Sequence, residues 1–456
     1  MIAARHPKAP AAALEGPVTV GTISPPLDPR SVDLGAVGYV EEEWFASGTA
    51  DRYAPVGDLA ADGSWDLEAT GSAPYATRLV VRRPADPADF AGVVALEWLN
   101  VSALELSPCW SYVSDALTDE GVTWIGVSAQ ALGITGGQGL IETGSSDQDA
   151  ANHGIRSTNP ERYAGLDHPG DPFAYDIYSQ VASALRSPAG AAVLGGAAIG
   201  RLLAIGESQS AGWLTSYVNG LQRATDLFDG FFVHSRMAAP AGLDVTGPVY
   251  MTDVPTRFRT DLDVPVMVVE SETDVGSRGR YALARQPETD LLRVWEMAGT
   301  AHSDTFMVGR ADIGCGLINS GPHHWIAKAG FAALVDWVRT GEAPPSAPVL
   351  ETDAPGSTSF RRDEHGNTVG GVRTPAVDVP VAQLHGEAAP GTPPICSLLG
   401  TTIPFDDATL RSLYASPAAY LARVEASLDE AIAAGFIRSR DREGYLAEAA
   451  RTSIPS

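Results

Sequence analysis

Seven residues carry the most chemistry in this chain: Gly206-Glu207-Ser208-Gln209-Ser210-Ala211-Gly212. They follow an apolar run, Leu202-Leu203-Ala204-Ile205, and precede an amphipathic stretch starting at Trp213. That order reads as strand, sharp turn, helix. A serine at the tip of such a turn is pushed out of the backbone path, and small neighbours let strand and helix close around it. The pattern is G-x-S-x-G with Ser210 in the last place. Serine is small enough to fit there but lacks glycine's freedom at positive φ. The plain alternative is a solvated loop serine, because short patterns of small residues recur by chance in a chain of 456 residues. What surrounds the motif decides between them.

Serine at neutral pH is a weak nucleophile and needs a base, with a third group to orient that base. The strand, turn and helix resemble the nucleophile elbow of the α/β-hydrolases, in which the chain order is nucleophile, acid, histidine. The acid belongs just past the second strand after the elbow strand, where the chain reads Val268-Val269-Glu270-Ser271-Glu272-Thr273-Asp274. Asp274 is favoured by its distance beyond the strand. Glu272 is the alternative acid, and Glu270 falls within the strand. The histidine belongs past the last strand, at Met297-Ala298-Gly299-Thr300-Ala301-His302. His302 is therefore the candidate base. His323 and His324 open a helix, where they cap or pack, and His234 precedes the acid, which is the wrong order.

An oxyanion hole needs two donors aimed at the developing charge. One is the N–H of Gln209. The other belongs to the loop Leu99-Asn100-Val101-Ser102, with Asn100 contributing its backbone or its side chain, unless it is a turn-forming asparagine. Trp98, Leu99 and Trp213 are expected to wall the site, unless they face the core. Such walls suit a small or medium ester with an apolar or aromatic part.

Strand candidates alternate with helix candidates through the middle of the chain. The strands are residues 77–82, 93–98, 122–127, 201–205, 230–234, 265–270 and 291–295. They are short, apolar and β-branched, as strands buried on both faces should be. Helices are expected over 107–117, from Asp171-Pro172 with Phe173, Ile177, Val181 and Leu185 on one face, and over about 325–339. Alternation of this kind implies a mostly parallel sheet covered by helices. The segment up to about Pro74, with β-like runs such as Pro17-Val18-Thr19-Val20, is expected to add antiparallel edge strands. Residues 17–340 are then the core, with 131–170 as a loop or lid insertion. Its Gly133-Ile134-Thr135-Gly136-Gly137-Gln138-Gly139 run lacks the Gly-Lys-Ser/Thr ending of a phosphate loop. Residues 341–456 form a C-terminal extension packed on the core. Ser416-Pro417 caps one of its helices, whose face is Leu421, Val424, Leu428 and Ile432, and Gly435 ends it.

The net charge is −25, from 56 acidic and 31 basic residues, with no long basic run. Nucleic-acid and anionic-membrane partners are not expected. No secretory signal or transmembrane stretch is visible, so a cytoplasmic location is expected. Of three cysteines, Cys109 falls in a helix and reads as buried packing. Cys315 and Cys396 are the pair a disulfide would join, although such bonds are rare in a reducing cytosol. No cysteine spacing suggests a metal site.

The segments Glu97-Trp98-Leu99-Asn100-Val101, Gly206-Glu207-Ser208-Gln209-Ser210, Ser271-Glu272-Thr273-Asp274, Ala298-Gly299-Thr300-Ala301-His302 and Gly370-Gly371-Val372-Arg373-Thr374-Pro375-Ala376-Val377-Asp378-Val379-Pro380 resemble a bacterial family of α/β-hydrolase-domain proteins with a long C-terminal extension. The Gly-Glu-Ser segment is also similar to that of type-B carboxylesterases. The family resemblance implies an α/β-hydrolase fold and a serine hydrolase with its triad at Ser208, Asp274 or Glu272, and His302. The expected reaction is cleavage of a small-molecule carboxylic ester through an acyl-enzyme, with no metal or organic cofactor. Acyl transfer, amide or lactone cleavage by the same triad, and a non-catalytic binding module on the same fold, are the alternatives. Oligomeric state is left open.

Overall fold

The computed structural model describes residues 8–103, 105–139, 153–245, 251–309 and 314–455. The chain forms two compact units, residues 1–266 with 334–342 and residues 267–333 with 343–456.

In the first unit the strands are β1 (Ala13–Glu15), β2 (Tyr39–Pro55), β3 (Leu67–Pro84), β4 (Val93–Trp98), β5 (Thr123–Val127), β6 (Arg201–Glu207) and β7 (Gly230–His234). Their order across the sheet is β1-β2-β3-β5-β4-β6-β7. β4, β5, β6 and β7 pair in parallel, and β1, β2 and β3 add antiparallel strands at one edge. This is an α/β-hydrolase fold with N-terminal β additions. The edge is a long ribbon of β2 on β3, with a register shift between Arg52 and Tyr53. Pro17–Val20 is not a strand. Only one ladder-like bond forms there, from Val18 N–H to the Glu43 carbonyl (2.8 Å), and the short edge strand is Ala13–Glu15 instead.

Every residue of β4, β5 and β7 is buried, as expected when helices cover both faces. Adjacent residues of β4 show which helix covers which face, because successive side chains point to opposite sides. Glu97 points toward α1 (Pro108–Asp119), where its carboxylate accepts from Cys109 N (2.9 Å), Trp110 N (3.0 Å) and Trp124 Nε1 (2.7 Å). Burial pushes this carboxyl up to about 8 against the pull of those three donors. Trp98 points the other way, onto Tyr175 and Tyr178 of α2 (Ala174–Arg186) and Trp213 of α3 (Gln209–Gly220). Asp171 does not cap α2. It reaches across to accept from Ala131 N (2.8 Å) and Gln130 Nε2 (3.1 Å), holding the start of the insertion.

Glu43 is the polar hub of this unit. It is fully buried, and its carboxylate meets Arg78, Arg162 and the Tyr163 hydroxyl. Arg78 also pairs with Glu105, and Arg162 donates to the carbonyls of Val18 (2.9 Å) and Val20 (2.6 Å). One carboxylate thus ties together the N-terminal segment, β2, β3 and residues 160–163.

In the second unit β8 (Val266–Ser271) lies next to β9 (Leu292–Met297). β10 (Ala382–His385) and β11 (Thr401–Pro404) form a separate antiparallel pair. The helix α4 (His323–Thr340) starts in this unit, and α5 (Pro417–Ala433) and α6 (Arg442–Ala449) build its apolar cluster around Tyr420, Val424, Leu428 and Tyr445. Ser416 caps α5 by accepting from Ala419 N (3.1 Å). Cys315 and Cys396 are joined as a disulfide, and Cys109 is a buried free thiol. The bond lies within the second unit. Among the described residues no helix is long and apolar enough to cross a membrane.

Glu43→Ala would leave Arg78 and Arg162 buried without their shared partner. It should lower unfolding stability by about 3–5 kcal/mol, read from the midpoint of chemical denaturation. A loss below about 1 kcal/mol would show that the hub contributes little.

Candidate active site

Ser208 sits between β6 and α3 with φ 58° and ψ −117°. A serine at positive φ is strained, at about 1–3 kcal/mol, and persists only where its surroundings hold it. They do so here. Ser208 N–H donates to the His234 carbonyl on β7 (2.9 Å). Gly206 has no room for a side chain, since a Cβ there would come within 3.0 Å of Ser210 Cβ and of Leu214 Cδ1. Ser210 is fully buried inside the helix and does not take a positive φ. The last motif position therefore requires small size rather than glycine's freedom, and the Ser210 hydroxyl has no hydrogen-bond partner among the described residues.

Gln209 is the first residue of α3, so its N–H has no acceptor within the helix. Its side-chain oxygen accepts from Val101 N–H (3.1 Å). Asn100 does not offer its backbone donor, which goes to the Leu106 carbonyl (2.9 Å). Its Nδ2 donates to the Glu207 carbonyl (3.0 Å), and its Oδ1 accepts from Ser102 N (2.8 Å). The side chain therefore fastens the β4 loop to the elbow strand, with one Nδ2 hydrogen left over.

The second unit brings Asp274 and His302 together. His302 Nδ1 lies 2.6 Å from Asp274 Oδ1, and both side chains are buried. Asp274 Oδ2 accepts from Ser271 Oγ (2.6 Å) and Ser271 N (2.9 Å), in a capping box that opens the single turn Glu272–Val275. Burial by itself would raise the Asp274 carboxyl. The charge of His302 and the hydrogen bonds from His302 and Ser271 outweigh it and hold the group below its ordinary value.

Glu272 is also fully buried but is committed elsewhere. Its carboxylate accepts from Gly299 N (2.7 Å), Gly386 N (3.1 Å) and Arg362 Nη1 (3.2 Å). Thr273 accepts from His302 N–H (3.1 Å) and donates to the Gly386 carbonyl (2.6 Å). His323 is fully buried at the start of α4, and its Nδ1–H donates to the Ala301 carbonyl (2.8 Å). This histidine packs and braces, as its helix-opening place suggested. Sequence reasoning missed its brace on the histidine loop, and missed the grip of Gly386 and Arg362 on Glu272. Both contacts join segments far apart in the chain, which no local pattern announces.

Trp98, Leu99 and Trp213 do not wall a site. All three are fully buried, with the Trp98 and Trp213 rings stacked 5.1 Å apart. They belong to the core, so the case they made for an apolar or aromatic substrate falls. A cavity of 510 Å³ in the first unit is lined by other residues, including Gln209, Val101, Arg52, Phe173, Asp244 and part of the insertion.

The chain belongs to the alpha/beta hydrolase domain family, whose model matches residues 14–447. Solved structures show likenesses of fold. A candidate dienelactone hydrolase from Klebsiella pneumoniae subsp. pneumoniae MGH 78578 is 15% identical, over 65% of this chain and 99% of that one, with a TM-score of 0.33. XC6422 from Xanthomonas campestris, described as an a/b serine hydrolase without a lid, is 16% identical, over 57% of this chain and 85% of that one, with a TM-score of 0.28. The esterase Est22 is 13% identical, over 43% of this chain and 44% of that one, with a TM-score of 0.24. No curated protein matches.

Burial lowers the His323 imidazole to about 4. Above about pH 6.5 it is neutral folded and unfolded alike. As pH falls from there toward 4, the unfolded chain takes up a proton that the folded chain refuses, so stability declines. The full penalty is about 3 kcal/mol. His323→Gln keeps a donor for Ala301 without titrating, and its stability should fall less steeply over that window in denaturation at stepped pH. Equal slopes would place the acid sensitivity elsewhere.

Proposed function

We propose that this protein is a carboxylic-ester hydrolase that works through an acyl-enzyme on Ser208. The observation that carries the reading is the buried Asp274–His302 pair, with a 2.6 Å hydrogen bond at Nδ1. That bond holds the proton on Nδ1, which leaves Nε2 as the basic nitrogen. An imidazole prepared in this way serves proton transfer to and from a hydroxyl nucleophile.

In this scheme Ser208 Oγ attacks the ester carbonyl while His302 takes its proton. The tetrahedral oxyanion is met by Gln209 N–H and by the remaining Nδ2 hydrogen of Asn100. The alcohol leaves with the proton from His302. Water then attacks the acyl-enzyme through the same imidazole and releases the acid. Asp274 stays ionised throughout and stabilises the imidazolium, which its depressed carboxyl suits. Glu272 has a different task. It fixes the loops at Gly299 and Gly386, so its loss should appear in stability before chemistry.

The test is steady-state hydrolysis of a neutral aryl acetate by four proteins. Ser208→Ala should lose at least about a thousandfold in kcat while unfolding normally. Asp274→Asn should lose about as much, through the wrong imidazole tautomer. Glu272→Gln should keep most of kcat and lose stability. Near-normal turnover by Ser208→Ala would end the reading, and a larger loss for Glu272→Gln than for Asp274→Asn would move the acid to Glu272.

A further inference from the structure

The 510 Å³ cavity is lined by polar groups, some of whose atoms have no partner among the described residues. Gln209 lines it directly after the elbow serine. Because Val101 N–H can only donate, the Gln209 amide oxygen must face it, and the amide NH2 is turned away from that contact. No described residue accepts from that NH2. Gln130, the amide on another wall, is occupied on both sides, by Trp98 Nε1 (3.1 Å) and by Asp171 (3.1 Å).

Arg52 lines the same cavity from the register shift in β2. Irregularities of this kind re-aim a side chain and recur beside functional sites. Arg52 is exposed at the surface of the sheet edge, and no described carboxylate pairs with it. Asp244 lines the cavity too, again with no described partner, and Phe173 adds a half-buried ring.

The lining therefore offers an amide donor, a guanidinium and a carboxylate, three planar groups with two arms each, beside one aromatic face. A simple anion would suit Arg52 but would meet the charges of Asp244 and Asp171. A hydrocarbon would leave the buried Gln209 NH2 unpaired, which is costly, and would gain nothing from the exposed Arg52 and Asp244. Vicinal hydroxyls both donate and accept, so they can pair with a carboxylate, a guanidinium and an amide N–H, and the C–H face of a sugar ring can lie on an aromatic ring. We infer that this cavity is a subsite for a polyhydroxylated, sugar-like moiety, and that Arg52 and Asp244 are specificity-determining residues for esters of such alcohols. The inference rests on the ester-hydrolase reading of Ser208.

Two acetate esters of equal ring size separate the possibilities, a mono-O-acetylated methyl glucopyranoside and cyclohexyl acetate, with 4-acetoxycyclohexanecarboxylate as the anionic control. Labelling of Ser208 by a fluorophosphonate is measured in parallel on every protein. The wild type should favour the sugar ester over cyclohexyl acetate by about tenfold or more in kcat/KM, mostly through KM. Arg52→Leu and Asp244→Leu should each pull that ratio toward one. The inference is overturned if a protein that labels at Ser208 shows a ratio of one or less, a ratio that neither variant moves, or no cleavage of either ester. It is equally overturned if the carboxylate ester is preferred and Arg52→Leu removes that preference, since the site would then be for anions. Absence of both labelling and turnover strikes the hydrolase reading itself.

Discussion

The backbone at Ser208 is the constraint on which the first unit depends. A non-glycine residue at φ 58° is unfavourable, so every neighbour must hold it there. β7 does so through the His234 carbonyl, Gly206 and Ser210 by their small size, and Asn100 by bonding the Glu207 carbonyl. Gln209 adds a clamp from the helix start to Val101. The Gln209 N–H, at the helix start, has no acceptor within the helix. Trp98, Trp213, Tyr175 and Tyr178 form a fully buried aromatic cluster between β4, α2 and α3.

The second unit solves a different problem, that of keeping a carboxylate ionised in a buried place. Asp274 manages this with three donors, two from Ser271 and one from His302. Its loop is then held from outside. The C-terminal residues supply Gly386 for Thr273 and Glu272, the Leu398 carbonyl for Ser303 N–H (2.9 Å), and Arg362 for Glu272. The extension thus forms one unit with the acid and histidine loops. That gives a physical reason for a chain far longer than the sheet and its helices require. Two buried glutamates nearby are also fastened, Glu272 by Gly299 N, Gly386 N and Arg362, and Glu296 by Leu350 N and Arg285, although burial raises the Glu296 carboxyl all the same.

Much of this was legible in the sequence, for identifiable reasons. β4 and β7 were read to the residue because fully buried parallel strands are continuous apolar runs with clear ends. The elbow was legible because its small residues answer a local steric demand. Asp274 was preferred for its distance past the strand, and the single turn Glu272–Val275 sets its carboxylate beside His302 Nδ1. Less local features were not legible. The β2–β3 ribbon runs from a buried half to a mostly exposed, small-residue stretch at residues 68–74, so periodicity did not announce its 17 and 18 residues. Composition does not say which way a tryptophan faces, and the alternation at Glu97 and Trp98 sent Trp98 into the core. Asp171 looked like a helix cap but caps a distant turn. Grouping of residues 267–333 with 343–456 depends on contacts across more than a hundred residues, which a linear reading does not contain.

The central claim is that Ser208 becomes covalently acylated during turnover. The most direct measurement mixes the protein with an excess of a neutral aryl acetate, quenches in acid within the first turnover, and maps the digest by mass spectrometry. The account predicts one acetyl group, on the peptide containing Ser208, with a burst of released phenol matching the enzyme concentration and both signals absent in Ser208→Ala. Turnover that continues with no acylated peptide, or with the acetyl group on another residue, would contradict it.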